Sequence, residues 1–175
     1  KLIPTTETTF INTPKGNLMT HTDQSPQHAD YRRAAALIRH QAEGSVSGIR
    51  FILDEASAAN RTTPLLTSLL DAFRLIAREL RTDPALEAVG ELVEIFAQQD
   101  GPMRAAARVT IARRDRDVSA FNAVLIEVNE DDRAGELLAD VVEMWAALLP
   151  ELAAPSARRS LSEWTARIAR QENDK

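Results

Sequence analysis

From Ser25 to Gln171 the chain alternates apolar and polar positions at steps of three and four residues, in runs interrupted by Gly, Pro or Asx-rich breaks. That spacing gathers the apolar side chains of each run onto one face of an α-helix. Ser25 and Pro26 suit the cap and first position of a helix reaching Glu43, with Tyr31, Ala34, Ala35, Ile38 and Ala42 as its apolar face. Gly44-Ser45 ends it, and Val46, Ile49, Ile52, Leu53 and Ala56 carry a second helix to Ala59. The third is the most regular, with Leu65, Leu66, Leu69, Leu70, Phe73, Ile76, Ala77 and Leu80 inward and Asp71, Arg74, Arg78 and Glu79 outward. Asp83-Pro84 and Gly101-Pro102 then stop one helix and start the next. Leu86, Val89, Val93 and Phe96 mark a fourth segment, and Met103, Ala107, Thr110 and Ile111 a fifth ending near Arg113. Phe121, Val124, Leu125 and Val128 make the sixth, and the acidic run Asn129 to Asp132 is expected to cap the seventh, from Arg133 to Leu149. Pro150 and Pro155 bracket a connection to a last helix carrying Leu161, Trp164 and Ile168, with Ser160 and Glu163 at capping-box spacing.

The pattern predicts an all-α fold without appreciable sheet, about eight short-to-medium helices in antiparallel hairpins closed into a bundle. Hairpins of roughly 30–38 residues admit an α-solenoid-like helical repeat as the alternative, although no shared signature recurs at fixed offsets. Residues 25–175 read as a single domain and residues 1–24 as a flexible N-terminal arm. Within that arm, residues 1–18 carry five threonines, Pro4, Pro14 and Gly16, a style unlike the Ala/Arg-rich remainder. The change at Met19 predicts an appended, expression-derived leader, with a native arm as the other reading.

Composition narrows the functional classes. At 175 residues, with 44% hydrophobic and 27% charged positions, the chain has the make-up of a globular domain and length enough for a sizeable core. Only 5% of residues are aromatic, so that core is expected to be chiefly aliphatic. A net charge of −5 speaks against a general nucleic-acid binder. The absence of cysteine removes disulfides and thiolate metal sites. No apolar run approaches the ~18–20 residues of a membrane span. A soluble, cytoplasmic protein without a membrane partner is the expectation.

Chemistry-bearing residues are sparse. Glu87, Glu91 and Glu94 share one side of the fourth segment, and Glu136, Asp140 and Glu143 one side of the seventh. Facing each other across a bundle, such carboxylates would make an oxygen-rich site for Mg²⁺ or Mn²⁺. The strings Glu87-Ala-Val-Gly-Glu91 and Glu136-Leu-Leu-Ala-Asp140 resemble the metal-binding motifs of the all-α nucleoside triphosphate pyrophosphohydrolases. That resemblance implies metal-dependent hydrolysis of a nucleotide-like phosphate, with Glu87, Glu91, Glu136 and Asp140 as ligands. The family's motifs begin with adjacent acids, where this chain has Ala88 and Leu137. The competing reading places the same acids on solvent-facing helix sides.

His21, His28 and His40 form no ligand-spaced string, and neither a Gly-x-Ser-x-Gly elbow nor a glycine-rich phosphate loop occurs. Arg104, Arg108, Arg113, Arg114 and Arg116 concentrate positive charge, interrupted by Asp115 and Asp117. Trp145 and Trp164 lie in register with their apolar stripes, and Val142 and Met144 widen that of the seventh helix. Such breadth predicts either a central helix or one covered by a second subunit, which makes Val142, Met144, Trp145 and Trp164 interface candidates. The sequence therefore points first to a helical protein–protein interaction or regulatory module that self-associates as a homodimer, with no cofactor. Second come the Mg²⁺- or Mn²⁺-dependent hydrolase and a small-ligand-binding helical domain with a pocket between helices.

Overall fold

The computed structural model of the protein describes residues 11–12, 18–19, 26–131 and 133–173. Among the described residues eight α-helices follow one another: α1 (His28–Glu43), α2 (Val46–Ala58), α3 (Thr62–Leu80), α4 (Asp83–Gln98), α5 (Met103–Asp115), α6 (Val118–Glu130), α7 (Ala134–Leu148) and α8 (Pro155–Asn173). A 3-10 turn, Pro150–Ala153, joins the last two. Ile11–Asn12 pairs antiparallel with Leu18–Met19, the sole strand pairing among the described residues. The remainder of the arm, and with it the leader reading of residues 1–18 and the cap role of Ser25, lies outside the described residues.

Local chemistry sets the helix ends. Pro26 precedes α1 rather than opening it, because Gln27 and Asp30 form a reciprocal capping box: the Gln27 side chain takes the Asp30 N–H, and the Gln27 N–H donates to the Asp30 carboxylate at 2.8 Å. Gly44 ends α1 in the left-handed conformation, φ 68° and ψ 23°, and its N–H reaches back to the last turn. Helix α6 runs through Glu130, so Asn129 and Glu130 are helical and do not cap α7, whose N-cap is Arg133. Ser160 and Glu163 lie inside α8, which opens at Pro155. Pro84 and Pro64 fall within the first turns of α4 and α3, where a missing N–H leaves no helix carbonyl unbonded.

Helix α7 is buried on several sides. It packs against α1, α5 and α6, and Leu137, Leu138, Val141, Val142, Met144, Trp145 and Leu148 are all buried. Leu65, Leu66, Leu69, Leu70 and Phe73 of α3 add the largest share of the aliphatic core around it. The Phe73 and Trp145 rings stack, with centroids 5.3 Å apart and planes 7° from parallel. The first helix packs along the last, α1 on α8. Two polar ties reinforce the joints. Asp30, with no exposed surface, holds Arg33 and Arg61, and Arg33 reaches on to Glu55 of α2 at 2.7 Å. Arg81, just past α3, binds Glu151 at 2.8 Å and the Leu148 carbonyl at 3.3 Å.

Candidate functional site

The residues singled out in the sequence separate by burial. Val142 at 2% exposure, Met144 at 0% and Trp145 at 6% belong to the core of this same chain, so they are not surface for a partner. The breadth of the α7 stripe reflects its central position, since a helix with neighbours on several sides needs apolar residues around most of its circumference. Trp164 is half-buried on α8 against that core. The Ile168 side chain lies outside the described residues.

Nor do the acidic residues converge. Glu87 and Glu91 are exposed on α4. Glu136 and Asp140, on α7, both turn to Arg133, whose guanidinium donates to them at 2.8 and 3.5 Å. Burial lifts the Asp140 carboxyl above the usual carboxylate range; Arg133 opposes the lift, and Glu136 and Glu143 add to it. Among the described residues no group of three or more acidic or histidine side chains is gathered as a metal centre.

The arginine cluster is largely neutralised. Arg104 pairs with Asp100 at 3.0 Å and Arg108 with Glu127. Arg113 grips Asp71 of α3 through two bonds, 2.9 and 2.6 Å. Arg114 bonds Asp115 at 2.8 Å and Glu94 of α4 at 3.1 Å, and its guanidinium holds the Asp115 carboxyl below the usual range. These pairs fasten α5 to α3, α4 and α6 instead of presenting free positive charge.

What the fold assembles in their place is a cavity of about 250 Å³ among α3, α4 and α5, with Trp145 of α7 also in its wall. Leu70, Val89, Val93, Ile111 and Trp145 supply apolar lining. Arg74 and Arg78, four residues apart on α3, line it together with Arg113 and Arg114. Unlike the α5 pair, Arg74 and Arg78 are exposed and have no carboxylate partner among the described residues. Gly90 of α4 also lines the space; a Cβ there would meet only the tip of Arg114, at 3.9 Å. The Trp145 indole N–H is buried without an acceptor, a condition that typically costs about 1–3 kcal/mol. A second cavity of about 290 Å³, bounded by Ile38, Phe73, Leu149 and Leu152, has no charged lining.

The sequence pattern places Arg74 and Arg78 toward solvent, and both are exposed. Their i, i+4 spacing was legible, but the juxtaposition with α4 and α5 was not. On α4 a further feature was missed: Ala88, Leu92 and Ile95 are exposed, Leu92 at 45% and Ile95 at 46%, and recur at i, i+4 and i+7 on the side away from buried Val89 and Val93. No helix among the described residues is long and apolar enough to cross a membrane. Compared with family models, curated proteins and solved structures, the chain finds no match.

Proposed function

We propose that this protein is a small-ligand-binding helical domain of the cytoplasm, and that the cavity among α3, α4 and α5 is its binding site. The observation that carries the reading is the pairing of an apolar lining with two arginines, Arg74 and Arg78, that have no carboxylate partner among the described residues. Binding sites in helical bundles characteristically combine concave apolar walls with a few polar groups that fix orientation. At about 250 Å³ the space lies just below the ~300–1,000 Å³ common for such sites, which suits a compact ligand. Occluding the cavity tests the reading. At Gly90 a Cβ meets only the Arg114 guanidinium, at 3.9 Å, so with Gly90→Leu the helical circular dichroism should persist while ligand-induced stabilisation disappears. Ligand stabilisation that survives this occlusion would refute the assignment.

A second reading, self-association as a homodimer, is favoured by the outer stripe of α4. Only α5 and α3 pack substantially on this helix, and Ala88, Leu92 and Ile95 form a seam of the kind that seats a second helix. Sedimentation should show a dimer at micromolar concentration that Leu92→Glu converts to monomer. A wild-type monomer across that range would remove this reading and leave the cavity assignment untouched.

A further inference from the structure

We propose that the ligand class of this cavity is an anionic amphiphile, a short apolar body ending in a carboxylate; the inference rests on the cavity being the binding site. Volume, charge and hydrogen-bonding polarity each contribute. At about 250 Å³ the space suits a short apolar body whose head group stays at the mouth. The arginines divide into two kinds. Arg113 and Arg114 are committed to Asp71, Glu94 and Asp115, whereas Arg74 and Arg78, beside the lining, have no carboxylate partner among the described residues.

The unpaired charged groups beside the lining are donors: Arg74 and Arg78 have only N–H to offer, while Thr110 donates its hydroxyl proton to the Ala106 carbonyl at 2.7 Å. A carboxylate only accepts, so it suits that set. An alcohol brings no charge to the arginines, and an ammonium brings the wrong sign. Guanidinium–carboxylate hydrogen bonds are moreover among the stronger ones, because both partners are ionised.

The test uses the full chain and three probes with the same tail: octanoate, 1-octanol and octylammonium. Calorimetry and thermal melting should show octanoate binding at least tenfold more tightly than octanol, with no binding of octylammonium. The Arg74→Gln/Arg78→Gln double variant alters exposed side chains, so folding should be retained. It should bring octanoate down to the affinity of octanol and leave octanol unchanged. Equal binding of octanol and octanoate by the wild type, or octanoate binding indifferent to the double variant, would overturn the anionic class while preserving the cavity as a binding site. If none of the three probes binds or shifts melting, the cavity assignment itself falls, and this inference with it.

Discussion

Asp30 is the place where one substitution should cost the most for the fewest atoms removed. Its carboxylate has no exposed surface and serves three partners: the Gln27 N–H at 2.8 Å, Arg33 at 3.3 Å, and Arg61 across the α2–α3 turn. Asp30→Ala removes the reciprocal half of the α1 capping box, worth about 1 kcal/mol. It also removes a shared carboxylate from two guanidinium groups, and deleting one side of a fully buried pair costs about 3–5 kcal/mol. The full figure does not apply here, because Arg33 keeps Glu55 at 2.7 Å and both arginine side chains retain some solvent, 13% and 14%. The expected loss is therefore about 3 kcal/mol, a fall of roughly 1–2 M in the urea midpoint with the slope unchanged. Asp30→Asn preserves an acceptor for the cap and should lose about 2 kcal/mol, the smaller of the two. Urea unfolding followed by tryptophan fluorescence measures both. A cycle with Arg61→Gln should return a coupling of at least ~1 kcal/mol. Losses below about 0.5 kcal/mol would mean that the cluster behaves like a surface ion pair and that the reasoning from burial fails.

Arg116 ends α5 in the left-handed region, φ 59° and ψ 27°, so Arg116→Gly should stabilise the fold by about 0.5–1 kcal/mol, read from the same urea midpoint; destabilisation would show that the arginine side chain outweighs its backbone strain. Asp140 binds its proton more tightly folded than unfolded, because burial raises its folded-state affinity, so this group's contribution to stability falls as pH rises through the carboxylate range. Asp140→Asn should therefore be the more stable protein at pH 7, with the difference vanishing toward about pH 3, below the ordinary carboxylate value near 3.9. A less stable variant at pH 7 would mean that the 3.5 Å approach of Arg133 prevails over desolvation. Millimolar Mg²⁺ or Mn²⁺ should leave the melting temperature unchanged, since Glu87 and Glu91 are exposed and Glu136 and Asp140 face Arg133; a rise of several degrees would revive a metal site on these helices.

The three-and-four periodicity determined the helices by itself, because burying one stripe per helix is a local property of spacing. The regular run from Leu65 to Leu80 lies within α3, still buried at Ala77 with Leu80 exposed at its end, and Gly44, Pro84 and Pro155 mark real ends for reasons of backbone conformation contained in single residues. Where a cap depends on a side chain several positions away, the sequence was less decisive: the Gln27–Asp30 box displaced the start expected at Pro26, and α6 absorbed the acids expected to cap α7. Which stripe becomes the centre was beyond it. Val142, Met144 and Trp145 look alike on a partner-facing helix and on a core helix, and only the packing of α1, α5 and α6 around α7 decides between them. The same holds for charge. Arg113 and Arg74 are both arginines on helix sides, yet Asp71, 42 residues away in sequence, neutralises the first and no described carboxylate reaches the second. A helix fixes neighbours at three and four residues along the chain, whereas partners across the bundle are set by how the helices dock, and that is where the cavity arises.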